Sequence, residues 1–209
     1  MKKNKNVAII VAHPDDETLW TGGILLSNPE WKCFIVSLCR KNDIDRAPKF
    51  YKTLKKYNAN GMMGDLDDGP EQKPIDVKEI ENLILELLPP LTFDLIITHN
   101  IHGEYTRHLR HEEVGRAIIN LWNNNNTLTK QLWCFAYEDG NRNYFPKPLI
   151  NADFSFVLPN EIWQQKYEII TQVYGFRKDS WEAKVTPIEE AFLQFNSPEI
   201  AIEFINNSD

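Results

Sequence analysis

The chain has 209 residues, 42% of them hydrophobic, and a formal net charge of −7. That length can bury one sizeable core, so a single domain over residues 1–209 is expected. The acid excess argues against a nucleic-acid partner held on a broad basic face, and no apolar run approaches the ~20 residues of a membrane span.

The basic start, Met1 to Asn6, meets an apolar run too short for a signal peptide, and residues 7–12 are read as a buried first strand. A helix is expected over 17–27, a strand over 32–39, and a helix over about 44–57 broken internally by Pro48. A short segment, 61–66, ends in the turn Asp67-Asp68-Gly69-Pro70. Residues 76–88 form an amphipathic pattern stopped by Pro89-Pro90, followed by a strand at 93–98, a helix at 108–122 and a strand at 131–137. The tract Asn123 to Asn126 reads as a loop. Beyond 140 come a Pro-bounded loop, a strand near 154–157, a helix at 160–173, and from 187 one more helix with a polar end. Strands alternating with helices predict an α/β, Rossmann-like three-layer fold, its mainly parallel sheet covered on both faces. Cys33, Cys39 and Cys134 lie in apolar strand-like runs with no close pair, which suits reduced thiols in a cytoplasmic protein better than metal ligation.

The chemistry-bearing residues gather at two strand ends. His13-Pro14-Asp15-Asp16-Glu17 follows the first strand, where open α/β sheets build their sites, and it lacks the glycines of a phosphate cradle. Histidine and aspartate together suit a divalent metal, and a second carboxylate can handle protons. The three acids also fit a helix cap and first turn, but capping gives no reason for the histidine. The other four of the five histidines, His99, His102, His108 and His111, all fall within 99–111, after the strand at 93–98. On a helix over 108–122, His111 shares a stripe with Val114, Ile118 and Leu121 or Trp122, so it points toward the sheet. A hydrogen-bonded core histidine would sit the same way. Trp20, one turn past the first motif, is read as core.

His13-Pro14-Asp15-Asp16-Glu17, preceded by Ala12, resembles the signature of the LmbE-like, or PIG-L, family of zinc-dependent N-deacetylases. His102-Gly103-Glu104-Tyr105 followed by His108-Leu109-Arg110-His111 resembles that family's second block, and the likeness covers roughly residues 5–140. The resemblance implies that His13, Asp16 and His111 hold Zn2+ while Asp15 acts as general base; Fe2+ and Co2+ accept the same ligands. It implies that a protonated His108 helps to hold the oxyanion, with Asp15 or His108 protonating the leaving amine. Arg46, His102 and Tyr105 would be substrate-binding. The chain departs from the family pattern in one extra residue between Tyr105 and His108, in Leu109-Arg110 where Pro-Asp is usual, and in Lys49 where a glutamate is expected. An inward-turned Arg110 would oppose protonation of His108. The activity implied is removal of an N-acetyl group from a small N-acetylglucosamine-type sugar conjugate. The alternatives are an amidase acting on a larger N-acyl conjugate and a noncatalytic sugar- or nucleotide-binding protein with a relic metal site.

Overall fold

Seven strands form one sheet in the order β3-β2-β1-β4-β5-β9-β8 in a computed structural model that describes residues 4–106, 108–125 and 127–208. Met1 to Lys3 of the basic start, and Asn126 of the asparagine tract, lie outside the described residues. Strands β1 (Asn6–Val11), β2 (Lys32–Cys39), β3 (Asn60–Leu66), β4 (Leu95–Thr98) and β5 (Leu132–Phe135) pair in parallel. A two-residue pair, β6 (Tyr137–Glu138) and β7 (Lys147–Pro148), stands apart; β8 (Phe154–Val157) and β9 (Glu189–Phe195) extend the main sheet antiparallel to their neighbours. The result is the expected α/β, Rossmann-like fold.

Period-two alternation decides which face each side chain takes. In β1, Ala8 and Ile10 enter the core with helices α3 (Val77–Leu87), α4 (Leu109–Asn124) and α7 (Pro198–Asn206), whereas Val7, Ile9 and Val11 face the opposite core. That second core is closed by α1 (Asp16–Ser27), α2 (Arg46–Lys56) and α5 (Asn160–Glu168), which continues as a π-helical turn at Ile169–Val173. A short helix, α6 (Trp181–Val185), follows. β1 pairs with β2 on one side and β4 on the other, so the strand order reverses at β1/β4 and a crevice opens at their carboxyl ends.

Four expectations are corrected. Pro48 does not break α2: it is the third residue, where its missing N–H has no intrahelical partner anyway. The asparagine tract begins inside α4, which runs to Asn124. The strand expected at 131–137 is two, β5 and β6. The tail from 187 starts as a strand, because Ala191, Leu193 and Phe195 pack in one core and Phe192 in the other, a period of two; the helix begins only after Ser197, whose side chain caps α7.

β9 also carries Glu190, fully buried, which accepts the N–H groups of Gly23 and Ile24 at 2.6 and 2.7 Å and pairs with buried Lys166 at 2.7 Å. Gly23 leaves room for the Leu158 side chain, which would have to move because a Cβ would lie 2.3 Å from it. Glu190→Ala strands the Lys166 ammonium in the core and is expected to lower unfolding free energy by about 3–5 kcal/mol in urea denaturation; a loss under ~1 kcal/mol would contradict this account.

Among the described residues no helix is long and apolar enough to cross a membrane. The three cysteines are free and buried.

Candidate metal centre

His13 leaves the end of β1 and His111 lies on the first turn of α4, which reaches the end of β4 because Gly115 lets the helix approach. A Cβ on Gly115 would lie 2.7 Å from the His99 carbonyl oxygen. The three expected ligands thereby converge. His13 Nδ1 is 3.1 Å from Asp16 Oδ2 and 3.2 Å from His111 Nε2, and the last two atoms are 3.3 Å apart. Metal–ligand bonds of about 2.1 Å imply donor separations of about 3.0–3.4 Å, so this triangle has the size of a coordination face.

The hydrogen bonds behind the triangle show which lone pairs it presents. His13 Nε2 donates to Asp68 at 2.9 Å, and His111 Nδ1 donates to Glu104 at 2.5 Å. With these outer nitrogens donating, each imidazole would offer its other nitrogen as a lone pair once a cation sits between it and the Asp16 carboxylate, while in the metal-free protein, against the cost of burial, Asp16 favours the protonated rings. His99 completes the bracing: Nδ1 donates to Glu104 at 2.9 Å while Nε2 accepts the Ala12 N–H at 3.0 Å. Donor atoms of Asp16, His99 and His111 lie within 4.8 Å of one another, as do those of His13, His108 and His111. The bond from Ala12 occupies the His99 lone pair, which leaves His99 a brace and His108 a neighbour within ligand reach. Trp20 is core, as expected, and its indole N–H points at Asp16 Oδ1 from 3.3 Å.

Burial disfavours the charge on Glu104, but His99 and His111 outweigh it and hold its pKa down at about 2. Asp68, bonded to His13 and to Arg40 Nε at 2.7 Å, is likewise held down at about 2 against its own burial. Free carboxylates titrate near about 4, so the stabilisation from both groups is complete above that pH and is lost as pH falls toward 2. The metal-free protein is expected to keep its Tm above pH 5 and to lose it steeply between pH 4 and 2; a flat profile across that window would contradict the arrangement.

Asp15 occupies the N-cap position of α1 without acting as a cap. Its side chain makes no capping hydrogen bond, and its φ of 136° is a conformation that costs a non-glycine residue about 1–3 kcal/mol. The carboxylate turns into the cleft, with Oδ2 3.7 Å from Arg46 Nη1. Burial, followed by the charge of Asp16, pushes its pKa well above the usual carboxylate value. A carboxylate with a raised pKa is a stronger proton acceptor. Arg46 thus stands beside Asp15, its guanidinium 4.3 Å from the Phe176 ring centre, while Lys49 pairs with Asp45.

His108 packs edge-on against His13, with ring centres 4.6 Å apart, and its buried Nδ1 has no hydrogen-bond partner. Burial, reinforced by the charges of His111 and His13, holds its pKa down at about 2. That burial disfavours the protonated ring the resemblance implies. Arg110 is not the cause, for it turns away to Glu113 and the Lys73 carbonyl. Tyr105 forms a wall, 5.4 Å from His108 and 4.7 Å from Trp181 between ring centres. His102, expected beside the metal, is instead exposed, 6.0 Å from the Phe204 ring, and lines a separate recess.

These residues open onto a cavity of about 840 Å³ between the strand ends and the 139–146 loop. Three contributors went unassigned in the sequence: His99, Glu104 and Asp68. Glu104 lay inside the second block and His99 just before it, while Asp68 was hidden in a turn whose aspartates usually only shape the backbone.

No protein-family model matches the chain. It is 21% identical over 176 residues to an uncharacterised protein of Acanthamoeba polyphaga mimivirus, covering 78% of this chain and 75% of the viral one. Among solved structures, N,N'-diacetylchitobiose deacetylase from Pyrococcus horikoshii superposes with a TM-score of 0.68 and 12% identity, over 97% of this chain and 86% of the other. A zinc-inhibited form of teicoplanin deacetylase gives 0.62 and 13% over 90% and 97%. GalB, the 4-carboxy-2-hydroxymuconate hydratase of Pseudomonas putida, gives 0.58 and 14% over 90% and 95%. The chain shares the fold of these solved structures, and that fold houses both deacetylases and a hydratase.

Proposed function

We propose that the protein is a metal-dependent hydrolase that removes the acetyl group from an N-acetylated amino sugar or its conjugate, of the N-acetylglucosamine type. The observation that carries this reading is the triangle of ligand atoms from His13, Asp16 and His111 beside an Asp15 carboxylate that its own helix does not use. A divalent ion held there, with Zn2+ suited to the donor set and Fe2+ or Co2+ also accepted, would polarise the amide carbonyl and acidify water.

The chain's own groups supply the rest. Asp15 takes the proton of the attacking water and, with its raised pKa, returns it to the leaving amine, so that acetate and a free amine are released. Neutral His108 donates an N–H to the developing oxyanion. Arg46 offsets the charge of Asp15 and faces the substrate, and the Tyr105 and Trp181 rings offer apolar faces to a sugar. The sugar itself follows from the resemblance of the two histidine blocks.

Acetate release from N-acetylglucosamine conjugates, compared with bulkier amides of the same amine, tests the proposal. Acetate release that stops on chelation and returns with metal is expected. Faster cleavage of the larger acyl groups would favour an amidase instead.

A further inference from the structure

Glu17 is buried and touches neither the triangle nor the cleft. Its Oε2 accepts the Asp15 N–H at 3.0 Å, and its Oε1 accepts hydroxyls from Thr18 at 2.5 Å and Tyr174 at 2.8 Å. Thr18 is held in turn by the Tyr57 hydroxyl at 2.9 Å. In an ordinary helix start the cap side chain binds an N–H of the first turn while a first-turn acid reaches back to the cap N–H. Here only the second half is present. Glu17 holds the cap N–H, and the Asp15 carboxylate that would normally turn back onto the helix faces the cleft.

We infer that Glu17 is a positioning residue that locks Asp15 in its left-handed backbone conformation and keeps the proton acceptor off its own helix, with Tyr174 as the anchor. The inference rests on the proton-acceptor role proposed for Asp15. Tyr174 is 157 positions away in sequence and follows the π-helical turn, an irregularity that occurs often at functional sites. The same segment places Phe176 against Arg46 and Trp181 against Tyr105, so the C-terminal third of the chain braces two groups of the cleft directly and reaches Asp15 through Glu17. Without Glu17, Asp15 can relax to negative φ and cap the N–H of residue 17 or 18, withdrawing its carboxylate.

The test is a double-mutant cycle read by acetate release and metal content. Glu17→Ala is expected to lower kcat by roughly 30- to 100-fold with KM and metal stoichiometry unchanged, and to add nothing in an Asp15→Asn background. Glu17→Gln, which keeps an acceptor for the Asp15 N–H, is expected to retain kcat within about threefold. Tyr174→Phe, which removes one hydroxyl, gives a smaller loss of the same pattern and serves if Glu17→Ala fails to fold. Equal losses in both backgrounds, or full kcat in Glu17→Ala, would overturn the inference. Failure of the deacetylase reading shows separately, as no acetate from the native protein. A crystal structure of the best-folding variant then decides: Asp15 at negative φ with its carboxylate on the helix supports the lock, and an unchanged Asp15 refutes it.

Discussion

Asp15→Asn is expected to lower kcat roughly 10²- to 10⁴-fold while the protein still binds one metal ion, since a positioned proton acceptor contributes about that much to hydrolysis. The amide matches the carboxylate in size and makes no capping bond that could be lost, so the backbone should stay as it is. The pH profile separates this role from a structural one. The acceptor works as the carboxylate, and burial with the neighbouring Asp16 raises its pKa, so native kcat/KM rises with pH through that raised value. The limb should vanish from the residual activity of Asp15→Asn. Unchanged kcat, or loss of the metal, would remove Asp15 from the role proposed.

Glu104→Ala is expected to weaken metal binding about 10- to 100-fold, the usual effect of removing the partner behind a ligating imidazole. One carboxylate holds the Nδ1–H groups of both His99 and His111 and also accepts the Asn100 N–H at 3.1 Å. Its removal leaves His111 free to change tautomer and turn a protonated nitrogen toward Asp16. It also leaves buried donors unpaired, for which a stability loss of about 3–5 kcal/mol is expected in urea denaturation. Isothermal titration with Zn2+ measures the first effect. Native affinity in Glu104→Ala would mean that His111 is oriented by packing alone.

The sequence was most readable where one periodicity or one motif decided the structure. The alternation in β1 and the heptad-like stripe on α4 place the sheet and put His111 on an inward face, and His13, Asp16 and His111 meet. It was least readable where tertiary partners decide. The period of two in residues 191–195 is short, and it becomes a strand because β5 and β8 pair with it on either side. His102 is close in sequence to the metal-facing residues, but Gly103, at a φ of 68°, and the turn around it send the ring to the other side of the loop. Asp68 lies 55 positions from the histidine it orients, and Tyr174 lies 157 from Glu17. The four residues of the first motif divide among three proposed jobs: His13 and Asp16 toward the metal, Asp15 for the proton, and Glu17 for the backbone between them.

Metal binding by protein stripped with a chelator tests the central claim most directly. One Zn2+ per chain, with binding lost in His111→Ala and retained in Asp15→Asn, is the result predicted. No stoichiometric ion on titration, or binding unaffected by His111→Ala, would contradict the account and with it the proposed chemistry.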